Sequence, residues 1–184
     1  MAHYDPPFEL HVHGEVSLHP EVTTDDVAEA LRPLWQYAGA RSLAEGAASA
    51  YDEEPGIQYD QRQNLLRMCW TVRGDEAFRR SIDDMCMNLN ELASTGAPIE
   101  VTFYDTEYDD EDSESRGEEA RDDFMIVFVG PTPAAIMQIQ RDLLVQDVIA
   151  VMERHFDSSE LRGVVEEVDK LFTQRFDALV ESLE

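Results

Sequence analysis

The strongest constraint on this chain is an alternation near its start. From Phe8 to Leu18, the apolar residues Leu10, Val12, Val16 and Leu18 share one parity, and His11, His13, Glu15 and Ser17 share the other. Successive side chains of a strand point to opposite faces, so the segment reads as a half-buried β-strand. Such a strand needs neighbours to take up its backbone hydrogen bonds and a layer to cover its apolar face.

Both are legible downstream. Leu66, Met68, Trp70 and Val72 alternate with Arg67, Cys69 and Thr71, which predicts a second strand over Leu65 to Val72. Ile99, Val101 and Phe103 alternate with Glu100, Thr102 and Tyr104 in a third, Ile99 to Tyr104. Phe124 to Val129 is apolar on both parities, which suggests a fourth strand that is central or covered on both sides. The covering layer comes from helices. Thr23 or Thr24 can cap one whose apolar stripe is Val27, Ala30, Leu31, Leu34 and Trp35, with Pro33 kinking or shortening it. Residues 41–50 suggest a second short helix, and Tyr51 to Asn64, with Pro55-Gly56, reads as loop. After Gly74, Asp75 can cap a helix carrying Phe78, Ile82, Met85, Leu89 and Leu92 at helical spacing, stopped by Gly96 and Pro98.

Thr132-Pro133 opens a long helix with a wide apolar surface. A last helix runs from about residue 159 to near Glu184, with Leu161, Val165, Val168, Phe172, Phe176, Leu179 and Leu183 spaced by threes and fours. Its partner is the preceding helix folded back, which the short connection favours, or the same helix of a second subunit, giving a homodimer through residues 159–184. The expected fold is α+β: a four-stranded, mainly antiparallel sheet with helices on one face, plus a C-terminal helical hairpin. Residues 1–130 form the core with an acidic insertion at 105–123, and residues 131–184 pack on that core as part of one domain.

Charge narrows the function. Forty acids face fourteen bases, a net of −26. Such a surface repels nucleic acid and anionic membranes, whose phosphates carry the same sign, and attracts basic proteins. Thirteen of the bases are Arg and one is Lys170; Arg suits bidentate pairing with carboxylates, and a coding bias produces the same preference. No apolar run approaches a membrane span, and MAHYDPPFEL has neither the basic start nor the apolar stretch of a secretory signal. Two cysteines, Cys69 and Cys86, lie in segments read as core elements, which fits free thiols in a reducing compartment, the cytoplasm.

Two patterns are candidate sites. The first is the segment from Asp105 to Asp123, whose eleven acids are Asp105, Glu107, Asp109, Asp110, Glu111, Asp112, Glu114, Glu118, Glu119, Asp122 and Asp123. At this density like charges oppose compaction, so it reads as a mobile excursion from a hairpin and as a partner-binding cluster. It fails as an EF-hand. Counting from Asp105 or from Asp110, the sixth position is not Gly and the twelfth is Arg116 or Arg121, where a bidentate Glu is needed. The second is His11-Val12-His13, two imidazoles on one strand face. A strand presents two ligands to one metal ion in this way, with Cys69 nearby if the first two strands pair. Glu15, His19 or His155 are further ligands to consider. No GxSxG elbow, P-loop, Rossmann fingerprint or HExxH is present, and no cofactor is expected.

In charge, size and compartment the chain resembles small acidic proteins that block a basic target, such as immunity proteins against nuclease toxins and DNA-mimic inhibitors. The resemblance carries over no residue. It implies a non-catalytic protein that recruits or inhibits a basic partner, such as a nuclease or nucleic-acid-binding protein, without touching nucleic acid itself. The alternatives are a metal-dependent protein or enzyme using the His11/His13 face, and an assembly protein oligomerising through its last helix.

Overall fold

The alternating segment becomes the middle of the sheet. In the computed structural model, which describes residues 8–105 and 123–182, it forms strand β1, Phe8–Ser17. The other strands are β2 (Gly56–Asp60), β3 (Leu65–Gly74), β4 (Ala97–Asp105) and β5 (Asp123–Val129). All neighbours are antiparallel, in the order β2-β3-β1-β4-β5. Among the described residues the sheet therefore has five strands, not four. The extra one, β2, lies in the stretch read as loop. It is five residues long and carries two inward apolar side chains, Ile57 opposite Met68 and Tyr59 opposite Leu66. That is too little alternation to stand out beside Pro55-Gly56. Its hairpin turn is closed by Asp60, whose Oδ1 accepts from the backbone N–H of Arg62 at 2.9 Å and of Gln63 at 3.2 Å.

The strand apolar on both parities, β5, is at an edge rather than at the centre. Apolar residues on both parities report how the faces are covered, not the place in the sheet, and Phe124 at the start of this edge strand is 66% exposed.

Helices α1 (Thr24–Ala30), α2 (Arg32–Tyr37), α3 (Leu43–Gly46) and α4 (Phe78–Asn90) accompany the sheet. Thr23 caps α1 in a full capping box with Asp26. Pro33 does not kink a continuous helix. It sits in the first turn of α2, where its missing N–H costs nothing, and the chain bends at Leu31. The short helix expected over 41–50 shrinks to α3. Asp75 caps no helix: its Oδ1 accepts from the Ala77 N–H in the turn before α4, and Tyr37 Oη donates to it.

The inward side chains of the sheet, Leu10, Val12, Val16, Leu66, Met68, Trp70, Ile99 and Val101, form one core with Val27, Leu31, Leu34, Phe78, Ile82, Met85 and Leu89 from the helices. Each fully buried aliphatic or aromatic side chain there contributes about 1.5–3 kcal/mol relative to an exposed one. Phe78 sits edge-on to Tyr37 at 5.2 Å and tilted against Trp70 at 6.5 Å.

The chain divides into two compact units, Met1–Pro131, which holds the sheet, and Thr132–Glu184. The second contains α5 (Pro133–Glu153), capped by Thr132, and α6 (Ser158–Glu181). Arg141 reaches Asp169 at 2.9 Å. These two residues lie about equally far from the short connection, as an antiparallel hairpin requires. Of the spaced positions on α6, Leu161 is buried, Val165, Val168, Phe172 and Phe176 are half-buried, and Leu179 is exposed. No helix among the described residues is long and apolar enough to cross a membrane.

Candidate functional site

The outward parity of β1 sets Glu9, His11, His13 and Glu15 in a row. Pairing with β3 puts His11 opposite Thr71, His13 opposite Cys69 and Glu15 opposite Arg67. Pairing with β4 puts His11 opposite Thr102 and His13 opposite Glu100. The polar residues of three adjacent strands thus gather on the sheet face opposite the core.

Within this face three metal-ligating groups converge. One ring nitrogen each of His11 and His13 and the Cys69 Sγ lie within 4.8 Å of one another. The two imidazoles stack, with centroids 6.2 Å apart and planes 17° from parallel. Glu15 is instead engaged by Arg67, whose Nε donates to it at 3.0 Å. His19 is not part of the cluster, and His155 belongs to the other unit.

The half-buried His11 is held in place by a polar chain. Beyond the end of β2, the edge of β3 is paired instead by the loop over residues 47–55: Ala50 N–H donates to Thr71 O at 2.9 Å, and Thr71 N–H donates to Ser49 Oγ at 2.8 Å. This loop carries Glu54 onto the outer face. Thr71, 3% exposed, donates its hydroxyl proton to Glu54 Oε1 at 3.0 Å. A hydroxyl has one proton, so the 2.9 Å contact between Thr71 Oγ1 and His11 Nδ1 has His11 as donor. Glu54 Oε1 lies 3.3 Å from the same Nδ1, and Ser49 Oγ donates to the other carboxylate oxygen. In the neutral imidazole this makes Nδ1–H the tautomer and leaves the lone pair on Nε2. Beside it lies a hollow of about 390 Å³ lined by Glu9, His11, Tyr51, Glu54, Thr71 and Tyr104. Tyr51 Oη donates to Glu9 Oε2 at 2.5 Å. That hydrogen bond, with a smaller contribution from desolvation, raises the phenol above its ordinary value.

The second cysteine differs. Cys86, on α4, is buried in the core, and burial with the nearby Asp83 carboxylate pushes its thiol up to about 12. It is a packing residue.

Of the acidic segment, Glu107, Asp109, Asp110, Glu111, Asp112, Glu114, Glu118, Glu119 and Asp122 lie outside the described residues. The backbone of Asp105 pairs with Phe8 and that of Asp123 with Phe103, so the segment joins the ends of two neighbouring antiparallel strands. Sequence reasoning identified the two histidines and Cys69 but missed Ser49, Tyr51 and Glu54. These sit in irregular chain with no periodicity, and only the pairing of the loop with β3 brings them to His11.

No curated protein and no solved structure matches the chain. Residues 8–173 match the model of the family of unknown function DUF6806, and the chain belongs to that family.

Proposed function

We propose that the protein is a non-catalytic binding protein whose acidic surface docks and neutralises a basic partner protein, in the manner of an immunity protein or a DNA mimic. The supporting observation is the unpaired charge. Forty acids against fourteen bases leave twenty-six carboxylates without a cation even if every base forms a pair. On the helices of the first unit, Asp25, Asp26, Glu29, Asp83 and Asp84 are all exposed, as is Glu91 at the C-cap of α4. Arrayed carboxylates raise the encounter rate with a cationic surface and accept bidentate arginine pairs, as phosphates do. The segment from Asp105, the last residue of β4, to Asp123, the first of β5, adds eleven acids, and it is the segment we assign to the partner.

The reading predicts a complex that weakens steeply with salt, because exposed pairs are screened over about 8 Å at physiological ionic strength. Immobilised protein is exposed to host lysate beside a variant whose residues 105–123 are replaced by a neutral linker, and bound proteins are eluted with rising salt. The expected outcome is a basic protein held by the intact chain and lost from the variant. The purified pair is then tested for whether the acidic chain displaces the partner's nucleic acid. A partner held equally by both chains, or one whose nucleic-acid binding is untouched, removes the proposal.

A further inference from the structure

The polar sheet face carries a site that charge alone does not explain. We infer that His11, His13 and Cys69 bind one late first-row transition-metal ion, with zinc the first to test, and that Glu54 and Thr71 orient His11 for it.

The donor set is selective. Two imidazole nitrogens and a thiolate are the ligands of zinc and its borderline neighbours, whereas magnesium and calcium take oxygen. The placement is set by backbone register, since β1 presents the histidines two residues apart and β3 places Cys69 directly opposite His13. In a tetrahedral zinc site the ligand atoms stand about 3.3–3.6 Å apart, as the metal–ligand lengths require. Contraction from within 4.8 Å needs side-chain rotation on a fixed backbone, and His13 is exposed and free to turn.

The support behind His11 is a second observation, independent of the clustering. Metal-bound histidines donate their other N–H to a carboxylate, a backbone carbonyl or water, which fixes the tautomer and ring orientation, and the Glu54 carboxylate lies 3.3 Å from His11 Nδ1. His11 Nδ1–H meets Thr71 Oγ1 at 2.9 Å, and Thr71 in turn donates to Glu54. The free nitrogen is then Nε2. Three protein ligands leave a fourth position for water or an exogenous donor, the arrangement of an open zinc site. Surrounding carboxylates raise the local concentration of cations, which favours loading and also makes non-specific binding the chief competitor.

The test uses the full chain, tag-free and reduced, with zinc or cobalt(II) as the sole addition. Expected are one tight ion per chain, a thiolate-to-cobalt charge-transfer band, and protection of Cys69 from alkylation by zinc. Cys69→Ser and His13→Ala should abolish the band and tight binding while circular dichroism stays unchanged. Glu54→Gln, which removes a positioning charge and no ligand, should keep the band and weaken affinity about 10–100-fold. If ions bind equally to the parent and to Cys69→Ser, they sit on surface carboxylates and the inference is wrong. Absence of the cobalt–thiolate band, or no tight binding at all, also overturns it.

Discussion

The two cysteines show how strongly one residue type depends on its surroundings. Cys69 lies half-buried on a polar sheet face beside two imidazoles, and Cys86 lies in the core with its thiol raised to about 12. The thiolate is the nucleophile, so reactivity follows its population and access. At mildly alkaline pH, iodoacetamide should label Cys69 in the native protein and leave Cys86 unmodified, and both should react once the chain is unfolded. Peptide mapping by mass spectrometry checks this, and native labelling of Cys86 would show that α4 opens readily. His11 is a similar case. The alternation put it on the outer face, but its tautomer depends on Thr71 and Glu54, sixty and forty-three positions further along the chain.

At the scale of elements, β2 is the most exposed to a single substitution. Its first residue, Gly56, has φ of +73°, and a Cβ there would stand 2.1 Å from the backbone oxygen of Ala47. That oxygen accepts the Ile57 N–H at 2.9 Å, so it cannot withdraw without breaking the bond that starts the strand. Gly56→Ala should therefore destabilise the protein by more than about 1 kcal/mol, through left-handed backbone strain and the clash together. Urea unfolding measures it, and a loss of a few tenths of a kcal/mol would mean that β2 contributes little. The same loop carries Ser49 and Glu54, so the variant should also weaken metal binding. Helix boundaries depended on local chemistry of the same kind. Pro33 marked a break that was legible in the sequence, but its role as the opening of α2 followed from where Leu31 bends the chain.

Across the whole molecule, a net charge of −26 makes the folded state repel itself, because folding brings the carboxylates closer together. Added sodium chloride screens that repulsion. Calorimetry should show the transition of the sheet-bearing unit rising with salt, by about 2–4 °C for each kcal/mol of relief. A midpoint that falls instead would mean that ion pairs such as Glu15–Arg67 and Glu9–Arg73 outweigh the repulsion. The same screening would act in the opposite direction on a complex with the proposed basic partner, so salt that steadies the free protein should release that partner.

The sequence by itself determined which segments are strands and helices wherever side-chain burial is periodic. Alternation and helical spacing are direct records of one buried face, and they were long enough in β1, β3, β4 and α4 to be read. It also determined the charge. Tertiary structure decided what periodicity does not encode: the fifth strand, the edge place of β5, and the register that sets His13 against Cys69. It also brought Glu54 from an aperiodic loop to His11. These follow from hydrogen bonding between segments far apart in the chain, such as the Thr71 backbone held by Ala50 and Ser49, for which no residue carries a local sign.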